Sequence, residues 1–274
     1  MFVICDGTTP IVPSRPHALV SIVIGDDYGA VWHQTARPTW EKYAEIHGYV
    51  VIVITRAFDA SDRRSPAWQK CLILSQRWSH LYKRIVWIDA DIVINISAPN
   101  ILDFAGPPEQ VSATLVDDQL SSAEKHILME RLFEETIAPD QALARWRRIQ
   151  RNIYIQNNIE TKESNMVTTG VMVLSPRHHR ALLEETYAAP ELSRGYEQPH
   201  LSHAILSRRL LHEISPRFNW GIWGPALLSC PDIVAPTLDS AGPYLPFVQG
   251  EFRKAYFLHF YQMYHLLKLL SFDF

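Results

Sequence analysis

Two aspartates, Asp89 and Asp91, follow the apolar run Ile85–Ile88 and are separated by a single alanine. A short β-branched and aromatic run of this kind predicts a buried strand, and ligands of open α/β sheets bind at the carboxyl ends of strands. Two carboxylates in an apolar setting are costly without a cation or hydrogen-bond donors, and Mg²⁺ and Mn²⁺ prefer oxygen ligands. The spacing therefore predicts a divalent-metal site. The alternative is that both aspartates only cap the turn that follows.

The residues before this pair predict the elements that must position it. Ala18–Ile24 is a short apolar run that predicts a first buried strand. Apolar residues at helical spacing from about Val31 to His47 predict a helix, with Gly48 as its C-cap. Tyr49–Ile54 predicts a second strand, and the Ser65-Pro66 pair predicts the start of a helix through about Leu81. This β-α-β-α-β order predicts a mostly parallel central sheet flanked by helices.

The rest of the chain predicts an insertion and a return to the sheet. The expected elements are a strand at Val111–Val116, a charge-rich helical insertion at Asp117–Ser164, a strand at Val167–Ser175, helices at Pro176–Tyr187 and Gln198–Leu211, and long loops after Ser215. The insertion contains the basic cluster Arg145–Arg151, which is typical of a solvated helix face, with contact to an anionic acceptor as the alternative.

Composition excludes several classes of protein. The 274 residues carry 26 Lys and Arg against 29 Asp and Glu, a net charge of −3, so nucleic acid is not expected as a partner. Widely spaced Cys5, Cys71 and Cys230 favour a reducing compartment over a disulfide framework or a zinc-thiolate site. Without a secretory signal or an apolar run near the roughly 18 residues of a spanning helix, a cytoplasmic protein is expected. The aromatic and leucine-rich segment Tyr256–Phe274 is expected to be either core or a peripheral contact with a membrane surface.

The order of several short motifs resembles that of the metal-dependent GT-A glycosyltransferases. Within that family it is most similar to the retaining branch that includes glycogenin and bacterial lipopolysaccharide galactosyltransferases. The motifs that carry the resemblance are Gly25-Asp26-Asp27-Tyr28, Lys70, Asp89-Ala90-Asp91, Thr168-Thr169-Gly170, Glu197-Gln198, Arg217-Phe218-Asn219 and His259.

The resemblance implies a role for each matching position. Asp89, Asp91 and His259 would bind Mn²⁺ or Mg²⁺ against the diphosphate of a nucleotide sugar. The implied contacts of that donor are Gly25, Asp26, Tyr28, Lys70, Asp89, Thr169 and Gly170. Lys70 and Glu197 would hydrogen-bond the donor sugar, and Gln198 would lie under its anomeric carbon. Because an amide is a poor nucleophile, Gln198 is expected to position the sugar or stabilise charge.

The implied activity is transfer of a hexose, with UDP-hexose as the expected donor, to a hydroxyl of a saccharide, lipid-linked or protein acceptor, with retention. The resemblance also divides a single GT-A domain into a nucleotide-binding half (residues 17–116), a helical insertion (117–165) and a donor- and acceptor-binding half (166–274).

Two alternatives remain. Thr168-Thr169-Gly170 lacks the asparagine of the family's Asn-x-Gly strand opening, and the glycine and lysine that grip the diphosphate are not recognisable after His259. Both absences would fit a non-catalytic relative that binds nucleotide sugars. A haloacid dehalogenase-type phosphatase also has a strand followed by an Asp-x-Asp pair. However, the acidic pair Asp117-Asp118 comes too early for that class, and the βαβ unit upstream does not belong to it.

Overall fold

A computed structural model describes residues 2–5, 14–192, 195–230, 244–261 and 263–269. In these ranges the strands are β1 (Phe2–Cys5), β2 (His17–Ile22), β3 (Val50–Ile54), β4 (Arg84–Ile88), β5 (Ile92–Ile94), β6 (Val111–Leu115), β7 (Val167–Leu174), β8 (Leu211–Glu213), β9 (Trp220–Gly221) and β10 (Phe257–His259). The α-helices are α1 (Asp26–Gln34), α2 (Ala36–His47), α3 (Ser122–Phe133), α4 (Pro139–Gln156), α5 (Pro176–Tyr187), α6 (Gln198–Ser207), α7 (Trp223–Ser229) and α8 (Leu245–Lys254).

The strands form a large sheet and a small one. The large sheet has the order β1-β3-β2-β4-β7-β6-β8. Its strands are parallel from β1 to β4, β7 is antiparallel to both β4 and β6, and β8 is parallel to β6. The small sheet has the order β5-β10-β9. The prediction of a mostly parallel sheet flanked by helices, with a helical insertion, is confirmed.

Side chains of the central strands point alternately to the two faces of the large sheet, and each face has its own hydrophobic core. Val51 and Val53 of β3 pack on the face covered by α1 and α2, where Trp40 is fully buried. Ile52 and Ile54 point to the opposite face and pack with Leu183 of α5. Because successive side chains of a strand point to opposite faces, a run of apolar residues buried on both sides produces this arrangement.

The predicted helix at 31–47 is two helices. The chain breaks at Thr35, whose backbone leaves the helical path between α1 and α2. Pro38 explains the break, because a proline inside a continuous helix lacks the N–H that would bond to residue 34 and its ring clashes with that carbonyl. In the first turn of α2 neither problem arises. Gly48 ends α2 in the left-handed conformation (φ 79°), which confirms the predicted cap.

The predicted helix after Ser65 forms as 3₁₀ helix, at Pro66–Ser75 and Arg77–Leu81. The Ser65 hydroxyl accepts a hydrogen bond from the Ala67 N–H (3.3 Å), as an N-cap does. The buried residues Trp68, Cys71 and Leu74 are three positions apart, which matches the three residues per turn of a 3₁₀ helix rather than the 3.6 of an α-helix.

Other boundaries also differ from the sequence predictions. The helix predicted through Leu211 ends at Ser207, and Leu211–Glu213 pairs with β6 as β8. Phe2–Cys5, for which no element was predicted, adds β1 beside β3. The region predicted as long loops after Ser215 contains α7, α8 and two strands of the small sheet, β9 and β10.

The insertion between β6 and β7 folds around its own small core. Helices α3 and α4 bury Leu128, Met129 and Trp146 against each other. The basic cluster lies on α4, where Arg147, Arg148 and Arg151 are exposed, in agreement with a solvated helix face.

The described part of the late aromatic segment is mostly core, with Tyr261 exposed. Phe257, Leu258 and Phe260 are fully buried, and Leu266 and Leu267 pack with them. Residues 270–274 lie outside the described ranges. Among the helices in those ranges, none has the length and apolar character needed to cross a bilayer.

Candidate metal site

The turn between β4 and β5 carries both predicted aspartates. The N–H of Asp89 donates to the carbonyl of Gly170 (2.8 Å), which extends the β4–β7 ladder by one residue. The N–H of Ile92 donates to the carbonyl of Asp89 (3.2 Å) and closes the turn from which β5 starts. Asp89 and Asp91 therefore lie at the carboxyl end of a central strand, as the sequence predicted.

The small sheet brings His259 to the same turn. Strand β10 runs antiparallel to β5 with His259 opposite Ile92, and the N–H of Phe260 donates to the carbonyl of Asp91 (2.9 Å). This register leaves His259 Nε2 3.2 Å from Asp91 Oδ1 and 3.9 Å from Asp89 Oδ2. One ligand atom from each of the three residues lies within 4.8 Å of the others, a spacing that could hold a metal ion.

The imidazole of His259 is held on its other side. A Cβ atom added to Gly170 would lie 2.5 Å from His259 Cε1, so the ring packs directly on the glycine backbone. His259 Nδ1 lies 2.8 Å from Asn219 Oδ1. Gly170, predicted as a donor contact, thus makes room for the histidine.

A buried lysine neutralises part of this negative charge. Lys70 is 3% exposed, and its Nζ lies 3.0 Å from Asp89 Oδ1 and 2.9 Å from Glu197 Oε1. Burial alone disfavours the ammonium, but the two carboxylates outweigh it and raise the pKa of Lys70. Trp87 Nε1 donates to the same oxygen of Asp89 (2.7 Å). Asp89 Oδ1 thus has two donors, while Oδ2 faces His259.

Glu197 and Thr169 complete the buried part of the site. Thr169 Oγ1 donates to Glu197 Oε1 (2.8 Å), and the Thr169 carbonyl accepts from Lys70 Nζ (3.4 Å). Lys70 and Glu197 were predicted to contact the donor sugar. In this structure their charged groups are buried and contact each other, so a direct sugar contact stays a prediction.

The charges of the cluster do not balance within the protein. The ammonium of Lys70 contacts the carboxylates of Asp89 and Glu197, and a third carboxylate, that of Asp91, contacts His259. Burial would raise the pKa of Asp91, but His259 beside it holds that pKa below its usual value. Burial likewise disfavours imidazolium, yet Asp91 and Asp89 raise the pKa of His259. With neutral His259 the excess is two negative charges, which one divalent cation would balance; carboxylate and imidazole ligands suit such an ion.

The predicted nucleotide contacts Asp26 and Tyr28 differ in exposure. Asp26 was predicted to lie in a loop. It instead begins α1, where it is exposed and follows Gly25 (φ 102°). Negative charge is favourable at a helix N-terminus, which accounts for an acid there without a ligand. Tyr28 is half-buried against Tyr264, with ring centroids 5.2 Å apart. Burial and the nearby carboxylates of Asp91 and Asp89 raise the pKa of Tyr28, so its ring borders the metal site.

Solved structures share this arrangement of strands and helices. A glycosyltransferase involved in the glycosylation of the major capsid of PBCV-1 aligns with 88% of this chain and 94% of its own, at 13% identity and a TM-score of 0.50. The apo structure of WbbM, a bifunctional glycosyltransferase, aligns with 93% of this chain at 11% identity and a TM-score of 0.55. This chain covers 47% of WbbM, about half its length. The chain has the GT-A glycosyltransferase fold. No protein-family model matches the sequence, and no curated protein does.

Within this GT-A fold, two neighbours of the candidate metal cluster were missed from the sequence. Trp87 lies two residues before Asp89 in the same extended segment, and side chains two apart share a face of a strand. That spacing is a signal that the sequence did offer. Asn219 belongs to a motif noted only for its resemblance, and nothing local indicates its contact with a histidine 40 residues away. Gln198 is half-buried at the start of α6, and its positioning role stays a prediction.

Proposed function

We propose that this protein is a glycosyltransferase that moves a hexose from a nucleotide sugar, with UDP-hexose as the expected donor, to a hydroxyl acceptor. The observation that supports this proposal is that Asp89, Asp91 and His259 lie together at the carboxyl end of a central strand of a GT-A fold. Because one fold serves many functions, the proposal depends on this site more than on the likeness to known glycosyltransferases.

The chain's own residues supply the expected parts of the reaction. Asp89, Asp91 and His259 would hold Mn²⁺ or Mg²⁺, which supplies positive charge against the leaving diphosphate. Lys70 neutralises Asp89 Oδ1 and leaves Oδ2 facing His259. Tyr28 borders the cluster, where the nucleotide is expected, together with Gly25 and Asp26.

The sugar is expected beside Glu197 and Gln198 at the start of α6. Gln198 would position the sugar or stabilise charge near the anomeric carbon. We propose retention, as in the branch that the motifs resemble, with the leaving phosphate oxygen accepting the proton of the acceptor hydroxyl. Residues 17–116 would bind the nucleotide, and the insertion at 117–165 would shape the pocket for a saccharide, lipid-linked or protein acceptor.

A donor screen tests the proposal. The full chain is incubated with a panel of nucleotide sugars, with Mn²⁺ or with EDTA, and release of the nucleotide is measured. We expect Mn²⁺-dependent release from at least one donor. Binding of UDP and Mn²⁺ by calorimetry without release or transfer from any donor would favour the non-catalytic alternative.

Asp91→Asn tests the metal ligand directly. The amide removes one negative charge and one anionic ligand at nearly constant shape, so we expect loss of Mn²⁺-dependent release with a melting temperature close to that of the wild type. Asp103→Asn, an exposed acid on the 3₁₀ turn Ile101–Phe104, is the matched control and should keep full activity. Unchanged turnover in Asp91→Asn would remove the metal role from that residue.

A further inference from the structure

Asn219 lies between the candidate metal site and the middle of the large sheet. It is 5% exposed and ends the 3₁₀ turn Pro216–Asn219, immediately before β9. Since β9 pairs in parallel with β10, with Gly221 opposite His259, the small sheet fixes Asn219 beside the histidine. Its amide is part of no ion pair, and the roles given above to the acidic residues and Lys70 leave it without a function.

The direction of its hydrogen bonds follows from the residues behind it. Thr168 Oγ1 donates to the carbonyl of Thr114 (3.1 Å). Thr168 Oγ1 can therefore accept from Asn219, whose Nδ2 lies 2.9 Å away. Thr168 Oγ1 also pairs with Thr114 Oγ1, and either hydroxyl can donate in that pair. With the Thr168 proton directed to Thr114, the amide is oriented with Nδ2 towards Thr168.

The oriented amide determines which nitrogen of His259 carries the proton. Asn219 Oδ1 can only accept a hydrogen bond, and it lies 2.8 Å from His259 Nδ1. A neutral imidazole that donates from Nδ1 has its lone pair on Nε2. His259 Nε2 is the atom that faces Asp91 and Asp89. Without a cation, Asp91 Oδ1, 3.2 Å away, can accept a proton from Nε2. A bound cation would replace that proton, since Asn219 accepts only the proton on Nδ1.

We propose that Asn219 is a positioning residue that holds His259 in the Nδ1–H tautomer through the chain Asn219–Thr168–Thr114, so that Nε2 is available to a divalent cation. This inference rests on the proposed metal site. Partners on the far nitrogen of a metal-binding histidine fix its tautomer and ring orientation, and their loss typically lowers metal affinity about 10- to 100-fold.

Two substitutions of similar size separate this role from a structural one. Asn219→Leu removes the acceptor, and Asn219→Asp keeps it. The readouts are Mn²⁺ affinity by calorimetry, the histidine ¹⁵N chemical shifts of the metal-free protein at alkaline pH, and urea unfolding. We expect Asn219→Leu to lose about 10- to 100-fold in Mn²⁺ affinity and to give His259 a mixture of tautomers. Asn219→Asp should bind Mn²⁺ at least as tightly as the wild type.

If Asn219 had only a structural role, the order of the two variants would be reversed. Asn219→Asp would then be less stable and bind Mn²⁺ more weakly than Asn219→Leu, because a buried carboxylate is costlier than a leucine side chain. Wild-type Mn²⁺ affinity in Asn219→Leu, with His259 still wholly in the Nδ1–H tautomer, would overturn the inference. If Asn219→Leu does not fold, Thr168→Val removes the group that orients the amide and should still produce mixed tautomers; a single tautomer there would also overturn it.

The two proposals fail in different ways. A wild-type protein that binds no Mn²⁺ would refute the proposed metal site. The metal-free ¹⁵N spectra would still report whether Asn219 controls the tautomer of His259, and a dependence on Asn219 there would leave the positioning role intact.

Discussion

Strand β7 (Val167–Leu174) has one histidine packed against its middle, at Gly170, and another bonded to Ser175 just after its end, and the two have opposite environments. His179 is 1% exposed; its Nδ1 accepts from the N–H of Ser175 (3.0 Å) and its Nε2 lies 3.1 Å from the carbonyl of Glu109. Burial, offset in part by the Glu109 carbonyl, lowers the pKa of His179 to about 4. His259 packs on Gly170, and the carboxylates of Asp91 and Asp89 raise its pKa in spite of burial.

The difference shows what distinguishes a structural histidine from a candidate ligand. Backbone groups occupy both nitrogens of His179, so nothing remains to bind an ion. In His259 only Nδ1 has a neutral partner, while Nε2 faces a cluster with excess negative charge. Only His259 has apolar neighbours in the sequence, Leu258 and Phe260. The contacts of the second nitrogen decide between the two roles.

The largest expected effect on stability comes from replacing Lys70, the cation beside the carboxylates of Asp89 and Glu197. Lys70→Met leaves Asp89 and Glu197 without their buried partner, and removing one member of a buried ion pair typically costs about 3–5 kcal/mol. We expect a loss of that order in the free energy of unfolding, measured with urea. Adding Glu197→Gln to the variant should restore part of it, because the excess negative charge falls.

Lys42→Met is the control for Lys70. Its ion pair with Glu45 is exposed, with 42% and 71% of the two side chains accessible, so its loss should change stability by less than about 0.5 kcal/mol. An equally small effect in Lys70→Met would mean that the buried carboxylates of Asp89 and Glu197 do not need the positive charge of Lys70 for stability.

The elements that carry Asp89 and Asp91 were predictable because their signals are local. Apolar runs predicted the central strands, and β4 (Arg84–Ile88) contains the predicted run Ile85–Ile88. Glycine and proline marked several helix ends. The break at Thr35 and the 3₁₀ geometry after Ser65 were not predicted, because helical periodicity alone does not weigh the clash of Pro38 or distinguish a spacing of three from 3.6.

The candidate site was predicted as a set of residues and not as a network. Resemblance named Lys70, Glu197 and His259, but no local pattern indicates that the first two form a buried pair. The contact of His259 with Asn219 depends on the register of β9 and β10, two very short strands. Sequence reasoning fails for such elements, because their pairing is set by tertiary packing and not by their own propensity.

A pH titration of stability tests the His179 side of the comparison. The folded-state pKa of His179, about 4, lies below the ordinary value of 6.5, so the unfolded chain binds more protons between these values. The contribution of neutral His179 to the free energy of unfolding is therefore complete near neutral pH and is lost as the pH falls towards 4. We expect a loss of about 2 kcal/mol between pH 7 and pH 5 from this group, measured by urea unfolding across that range.

His179→Gln is the matched variant, since its amide can replace part of the hydrogen bonding without titrating. The pH dependence should become shallower by the amount assigned to His179. The other titratable groups near it, Arg84, His178 and Glu109, are present in both proteins and cancel in the difference. Identical pH slopes would show that His179 is not kept neutral by its surroundings.

The smallest effect on stability is expected at Gly170, and it bears on His259 most directly. In Gly170→Ala the new Cβ would lie 2.5 Å from His259 Cε1, so the partly accessible ring must move, at a cost of about 1 kcal/mol. That movement displaces Nε2 from the carboxylates, and Mn²⁺ affinity by calorimetry should fall more than stability does.

Gly29→Ala in α1 is the control: its Cβ meets only Val23 Cγ1, at 3.8 Å, and alanine favours a helix over glycine. That variant should be at least as stable as the wild type and bind Mn²⁺ equally well. Equal Mn²⁺ affinity in both glycine variants would mean that the position of the His259 ring does not matter for the metal. The contrast between His259 and His179 would then be one of charge alone.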